Sequence, residues 1–267
     1  MEFVVGGPLA AYYRLLGSKK GRVVIDLDGS DSATRDHQLD LPGEWSVSGT
    51  PACSGAGVDL HVVVIDHHDS FTYNLVQALS GQGARVSVRL AESLSLGQLE
   101  QMAPDRLLLS PGPGRPEQAV FAQQALERYR GEIPVLGVCL GHQVIATSLG
   151  GQVVATGAPA HGKAEPIHHS NEGIFAGVPN PFEAARYHSL AVSRENLPDE
   201  LQIVAWSDSG MVMAVAVPGE ATWGVQFHPE SFLTPDGDLI LSSFISGIRC
   251  GQDRGEPLTE RMDSGAF

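Results

Sequence analysis

The sequence predicts an α/β fold, a mostly parallel twisted sheet flanked by helices with a smaller antiparallel β portion. Three observations predict it. Strand-like and helix-like runs alternate between residues 61 and 149, the pattern that builds parallel sheets covered by helices on both faces. After Gly151 the runs become short and β-rich, as in an antiparallel meander. The segments with chemically distinctive residues fall at the C-terminal ends of the predicted strands, where open α/β sheets bind ligands.

Taken in order, His-Val-Val-Val-Ile-Asp at 61–66, with its apolar centre, reads as a fully buried strand. Asp69 or Ser70 is placed to cap a helix over 71–80, and Gly81 or Gly83 to end it. Residues 85–90 alternate, with Val86, Val88 and Leu90 on one face of a second strand. A short helix over 96–102 leads to a third strand, 106–110, whose end delivers a Pro-Gly-Pro-Gly loop. Pro116 is suited to the first turn of a helix over 116–130. A fourth strand over 135–138 is followed by a helix that runs to Leu149 and becomes regular at Gln143. Segments 152–156, 183–187, 201–207, 212–217 and 222–227 are the expected meander, and 239–248 a closing helix.

The expected domain lies at 61–250, preceded by an extension over 1–60 and followed by a polar tail over 251–267. In the extension, 8–16 is helical in pattern, 22–27 strand-like, and 28–59 rich in Asp, Ser, Gly and Pro, hence linker-like. No apolar stretch approaches the roughly 20 residues that span a bilayer, and the N-terminus lacks the basic-then-apolar order of a signal peptide. Cys53, Cys139 and Cys250 are too few and too scattered for a disulfide framework, which points to a reduced, cytoplasmic compartment. The formal net charge of −14, with no basic cluster, disfavours nucleic-acid binding.

The chemistry centres on Cys139, in Val135-Leu-Gly-Val-Cys-Leu-Gly-His-Gln-Val144. The residue stands on a tight strand-to-helix turn, with Gly137 and Gly141 letting the backbone pass closely, and the following helix N-terminus favours thiolate over thiol. The alternative is a buried, inert thiol. Downstream, Val225-Gln-Phe-His-Pro-Glu-Ser231 closes a strand-like run. There His228 is suited to exchange a proton with the thiol, and Glu230 to orient the imidazole. A lone His-x-Glu at a strand end would read as solvated surface, and the cysteine turn is what changes that reading.

Gly-Val-Cys-Leu-Gly-His-Gln with a distant Gln-Phe-His-Pro-Glu resembles the class I (triad) glutamine amidotransferases. Asp66-His-His-Asp-Ser-Phe-Thr-Tyr-Asn74 and Ser110-Pro-Gly-Pro-Gly-Arg-Pro116 are similar to segments of the glutaminase components of anthranilate synthase and aminodeoxychorismate synthase. His161-Gly-Lys163 and Gly173-Ile-Phe-Ala-Gly177 fit as well. The resemblance covers about 61–250, and stand-alone members begin near the strand at residue 61. It implies hydrolysis of L-glutamine through a thioester on Cys139, with His228 and Glu230 completing the triad. It also implies an oxyanion hole from the Gly112 and Leu140 N–H groups, and glutamine contacts from Gly114, Gln143, Ser189 and Leu190. No cofactor or metal is implied. The implied partner is a chorismate-binding synthase subunit or domain, with anthranilate synthase ahead of aminodeoxychorismate, aminodeoxyisochorismate or phenazine-precursor synthases. The competing functions are a glutaminase for another acceptor and a catalytically silent regulatory binding protein. Ordinary readings are a tight turn for residues 111–114, an exposed helix residue for Gln143 and a loop hydroxyl for Ser189. His67-His68, where relatives commonly carry Asn-Tyr, and His168-His169 read as structural pairs, since adjacent side chains on an extended segment diverge.

Overall fold

The computed structural model describes residues 23–25, 60–156 and 162–247. Expectations for 8–16, 28–59 and the tail, together with Cys53, His161 and Cys250, lie outside them. The strands in chain order are β1 (Val23–Ile25), β2 (His61–Asp66), β3 (Arg85–Leu90), β4 (Arg106–Leu109), β5 (Val135–Val138) and β6 (Val153–Ala155). They continue with β7 (Lys163–His169), β8 (Phe182–Arg186), β9 (Leu190–Val192), β10 (Gln202–Ser207), β11 (Val212–Ala216) and β12 (Thr222–Val225). The helices are α1 (Thr72–Gly81), α2 (Leu96–Gln101), α3 (Val120–Tyr129), α4 (Leu140–Ser148) and α5 (Gly237–Ser246).

Ten strands form one sheet in the order β1-β3-β2-β4-β5-β12-β11-β10-β7-β8, and β6 pairs with β9 in a separate antiparallel ribbon. Pairs from β1 through β12 in that order are parallel, and those beyond are antiparallel. The expected antiparallel portion is therefore a continuation of the same sheet. Strands β10, β11 and β12 form a meander as expected, and β12 also pairs parallel with β5, which joins the antiparallel strands to the parallel ones. The apolar run of β2 explains why both faces are covered. Val62 and Val64 join the core under α1 and α5, whereas Val63 and Ile65 join the core under α3 and α4. Fully burying each such side chain contributes about 1.5–3 kcal/mol.

Local chemistry sets the boundaries. Helix α1 ends in a Schellman motif, with Gly83 N–H donating to Ser80 O and Ala84 N–H to Leu79 O, and Gly83 supplying φ of 94°. Its start is not capped by Asp69 or Ser70 as expected. Phe71 occupies the cap position without a side-chain bond, and the Asp69 carboxylate accepts from Phe71 N–H at 2.7 Å. The expected long helix after Pro116 is broken, because Pro116–Gln118 forms a 3-10 turn and Ala119 at ψ 56° interrupts it before α3. Strand β7 was not expected, since its Pro166 and charged residues mask the alternation. Strand β9 was not among the segments read as strands from the pattern, although Leu190 was singled out for its resemblance.

Candidate active site

The register of β5 against β12 builds the site. Val138 pairs with Val225, so both chains leave the sheet side by side at their C-terminal ends. Cys139 N–H donates to Val225 O at 2.8 Å across that seam. Cys139 then turns the chain in a single residue, with φ of 51° and ψ of −97°, and α4 begins at once with Leu140. The helix therefore starts earlier than the sequence suggested. Gly141 looks like a turn residue, yet it is helical, and glycine is needed there because a Cβ would collide with the Leu109 carbonyl. A Cβ at Gly137 would likewise strike the backbone of Gly141. A backbone conformation like that of Cys139, in a residue with a side chain, costs about 1–3 kcal/mol and persists only where its surroundings over-determine it.

His228 follows β12 and is 2% exposed. Its N–H donates to Ala185 O at 3.2 Å and its carbonyl accepts from Thr234 Oγ1 at 2.7 Å, fixing the backbone. Nδ1 bonds Glu230 Oε1 at 2.7 Å, and the Glu230 side chain is fully enclosed. The rings of Phe71 and Tyr187 meet the imidazole edge-on, with centroids at 5.5 and 5.2 Å. The imidazole pKa stands well above 6.5: burial opposes the charge, but the Glu230 carboxylate and the Cys139 sulfur outweigh it. Nε2 is buried without a regular hydrogen bond. The neighbour that acts on its charge is the Cys139 sulfur, a diffuse acceptor with broad geometry.

The other predicted positions differ in their surroundings. Leu140 is the first residue of α4, so its N–H has no intrahelical acceptor. Packing requires glycine at 112, since a Cβ would lie 2.5 Å from His67 Cβ and 2.9 Å from Leu140 Cδ2. Gly114 is exposed, with φ of 89°. Gln143 is buried rather than exposed, and its Nε2 donates to Leu190 O at 3.3 Å and Gln226 Oε1 at 3.1 Å. Ser189 is exposed, and its carbonyl accepts from Thr156 N–H at 2.9 Å.

Four polar residues here were not singled out from sequence. Gln226 is fully buried, and its Nε2 lies 3.6 Å from Cys139 Sγ. Its signal was the spacing, because residues 226 and 228 share one side of an extended chain while Phe227 points into the core. His188 donates from Nδ1 to Leu190 O at 2.7 Å and accepts at Nε2 from Arg186 Nε at 3.1 Å. Burial, then the charges of Arg186 and His228, lower its pKa to about 4. His142 is wholly buried, and that burial lowers its pKa to about 3 against the Gly224 backbone, which raises it. Both are neutral near pH 7. Arg186 is balanced by Glu165 at 2.8 Å.

The histidine pairs diverge as expected. His67 is buried and bonds Ser110 Oγ at 3.2 Å, whereas His68 is exposed and pairs with Glu92. His168 meets Asp208 at 2.8 Å, whereas the His169 ring turns inward to Pro179 O, 2.9 Å away.

The family model for class I glutamine amidotransferases matches residues 63–247. The chain is 46% identical over 196 residues to anthranilate synthase component 2 of Pseudomonas aeruginosa, covering 70% of this chain and 98% of that protein. It is 40% identical over 184 residues to aminodeoxychorismate synthase component 2 of Escherichia coli, covering 69% and 98%. A solved structure described as a GMP synthase subunit, from Thermoplasma acidophilum, superposes with a TM-score of 0.64 at 24% identity, over 72% of this chain and 95% of that one, and so shares the fold. Among the described residues no helix is long and apolar enough to cross a membrane. With the matched segment spanning the sheet from β2 to α5, and so including Cys139, His228 and Glu230, the chain belongs to the class I glutamine amidotransferase family.

Proposed function

We propose that residues 61–250 hydrolyse the side-chain amide of L-glutamine and pass the ammonia to a chorismate-using synthase, an anthranilate synthase first and an aminodeoxychorismate synthase second. The observation that carries the reading is the strained Cys139 held beside the buried His228–Glu230 pair by the parallel register of β5 and β12. The Cys139 thiolate attacks the amide carbon. Negative charge then develops on the carbonyl oxygen, where the free N–H of Leu140 at the α4 N-terminus and that of Gly112 receive it. The His228 imidazolium donates its proton to the departing nitrogen as the C–N bond breaks, giving ammonia and a glutamyl thioester. Water then attacks the thioester, His228 takes its proton, and glutamate leaves with the sulfur restored. Glu230 keeps the imidazole in the tautomer whose Nε2 addresses the sulfur and stabilises its charged form.

With both Gln143 amide hydrogens committed inside the protein, its oxygen alone is left to accept from the substrate's α-ammonium group. Leu190 stands next to it, its carbonyl accepting from Gln143 Nε2, and in this reading Ser189 and Gly114 complete the glutamine contacts. Component 2 in the names of the relatives supports a partner synthase component. The test measures glutamate release by the full chain alone and with the large components of anthranilate and aminodeoxychorismate synthases. Weak activity alone and a marked rise with one partner is expected. A fully active chain indifferent to both would move the assignment to a free-standing glutaminase.

A further inference from the structure

Beyond the triad, a run of hydrogen bonds ends on the nucleophilic sulfur. The Leu190 carbonyl is purely an acceptor, and it takes His188 Nδ1–H at 2.7 Å and Gln143 Nε2 at 3.3 Å. That fixes which end of the Gln143 amide is NH2, and the second hydrogen on the same nitrogen goes to Gln226 Oε1 at 3.1 Å. With its oxygen accepting, Gln226 has only its NH2 to turn toward Cys139 Sγ, 3.6 Å away. Gln226 is fully buried and Gln143 is 3% exposed, so neither amide exchanges these bonds for water. A donor aimed at sulfur stabilises the thiolate more than the neutral thiol, because hydrogen bonds to charged groups are the stronger ones.

We propose that Gln226 is a thiolate-stabilising donor to Cys139, and that Gln143, acting through it, is a positioning residue that sets its orientation. The inference rests on the proposed glutaminase reading for its purpose, though not for its readout. Of the titratable and charged groups on the elements that meet at the sulfur, His228 interacts with it directly, Glu230 is bonded to His228, and His188 is coupled to His228 and Arg186, while α4 carries His142. His188 and His142 are neutral near pH 7, so the charges that compete with the Gln226 donor are chiefly those of His228 and Glu230.

The experiment follows the rate of Cys139 alkylation by iodoacetamide against pH in the full chain, read on the Cys139 peptide by mass spectrometry. Gln226→Leu removes the donor, and Gln226→Glu keeps the size while placing a carboxylate against the sulfur. The acid limb of the profile is expected to move upward by about one pH unit for Leu, the scale of one hydrogen bond to a charged group, and further for Glu. Gln143→Leu should move it the same way by less, since Gln226 then loses its orientation but keeps its donors. Circular dichroism establishes that each variant is folded, and Gln226→Glu carries the test if Gln226→Leu is not. A limb that stays at the parent position in a folded Gln226 variant overturns the proposal. Absence of glutamine turnover in the parent chain would instead overturn the glutaminase reading and leave the alkylation result standing.

Discussion

Acid should unfold this protein earlier than its carboxylates alone would dictate, and His142 is the main reason. Its folded pKa is about 3, because burial disfavours the charged ring, against 6.5 in an unfolded chain. His188 is held at about 4 by burial and by its cationic neighbours. Between pH 6.5 and these folded values the unfolded chain binds more protons than the folded one, so stability falls as pH falls and levels off only below the folded pKa. For one group moving from 6.5 to about 3, the linkage relation gives a loss of about 2 kcal/mol at pH 5 and about 3 kcal/mol at pH 4. His188 adds a similar loss at pH 5, reduced by its coupling to His142. Set against a typical domain stability of about 5–15 kcal/mol, this is a large fraction. His228 runs the other way. Its raised pKa contributes stability that is fully present below pH 6.5 and is lost as pH rises through the folded value. The optimum for stability is therefore near neutrality. Urea unfolding of the full chain from pH 7 to pH 5 checks the acid side, with His142→Leu as the comparison. Neither ring nitrogen of His142 makes a regular hydrogen bond, so leucine removes the titration while keeping the buried position filled. The variant should lose about 2 kcal/mol less than the parent over that range. Parallel stability curves for the two proteins would refute the reasoning.

Two further outcomes follow from the site. Cys139→Ser should abolish glutamine-dependent turnover while leaving thermal stability and partner binding intact, and the partner should still work with external ammonia. Substantial glutaminase activity in that variant would mean the nucleophile lies elsewhere. His228→Ala should remove essentially all turnover, whereas Glu230→Ala should be milder, because the carboxylate only positions the ring and stabilises its charge. Steady-state kinetics of the two variants side by side decide it, and the ranking fails if His228→Ala is as active as Glu230→Ala.

Most of the parallel half was legible because its signals are local. The apolar runs within β2 and β5, the alternation of β3, and the glycine that ends α1 can each be read within ten residues. The order of the antiparallel strands was not legible, because pairing between distant segments leaves no mark in either one. Pro166 hid β7, although that strand pairs with both β8 and β10. Gly141 was misread for a different reason. Its need for glycine comes from Leu109 on a neighbouring strand, not from a turn. The site motifs were legible as residue types, and their meeting was legible only as an expectation. What brings them together is the parallel pairing of β12 with β5. Gln226 was read only as the first residue of the Gln-Phe-His-Pro-Glu segment, because nothing in that segment marks its amide as facing Cys139.

The competing reading of Cys139 as an inert buried thiol can be weighed on physical grounds. An inert cysteine behaves as a small hydrophobe, and its preferred setting is regular backbone among apolar side chains. Cys139 is 8% exposed, which suits either reading, but its φ of 51° and ψ of −97° do not suit the inert one. The strain of about 1–3 kcal/mol gives nothing to packing. It is sustained by Gly137 and Gly141 below the turn and by the Val225 carbonyl beside it. Cys139 borders the apolar core, yet polar groups also lie against it. A buried imidazole held to an enclosed carboxylate lies on one side and a buried amide donor on the other. Enclosing an ionisable pair and two glutamines around a neutral sulfur would cost desolvation without return. Around a thiolate the same groups are complementary in charge and in hydrogen bonding. The fold therefore concentrates its strain and its buried polarity at one point, the place where β5 and β12 release the chain together.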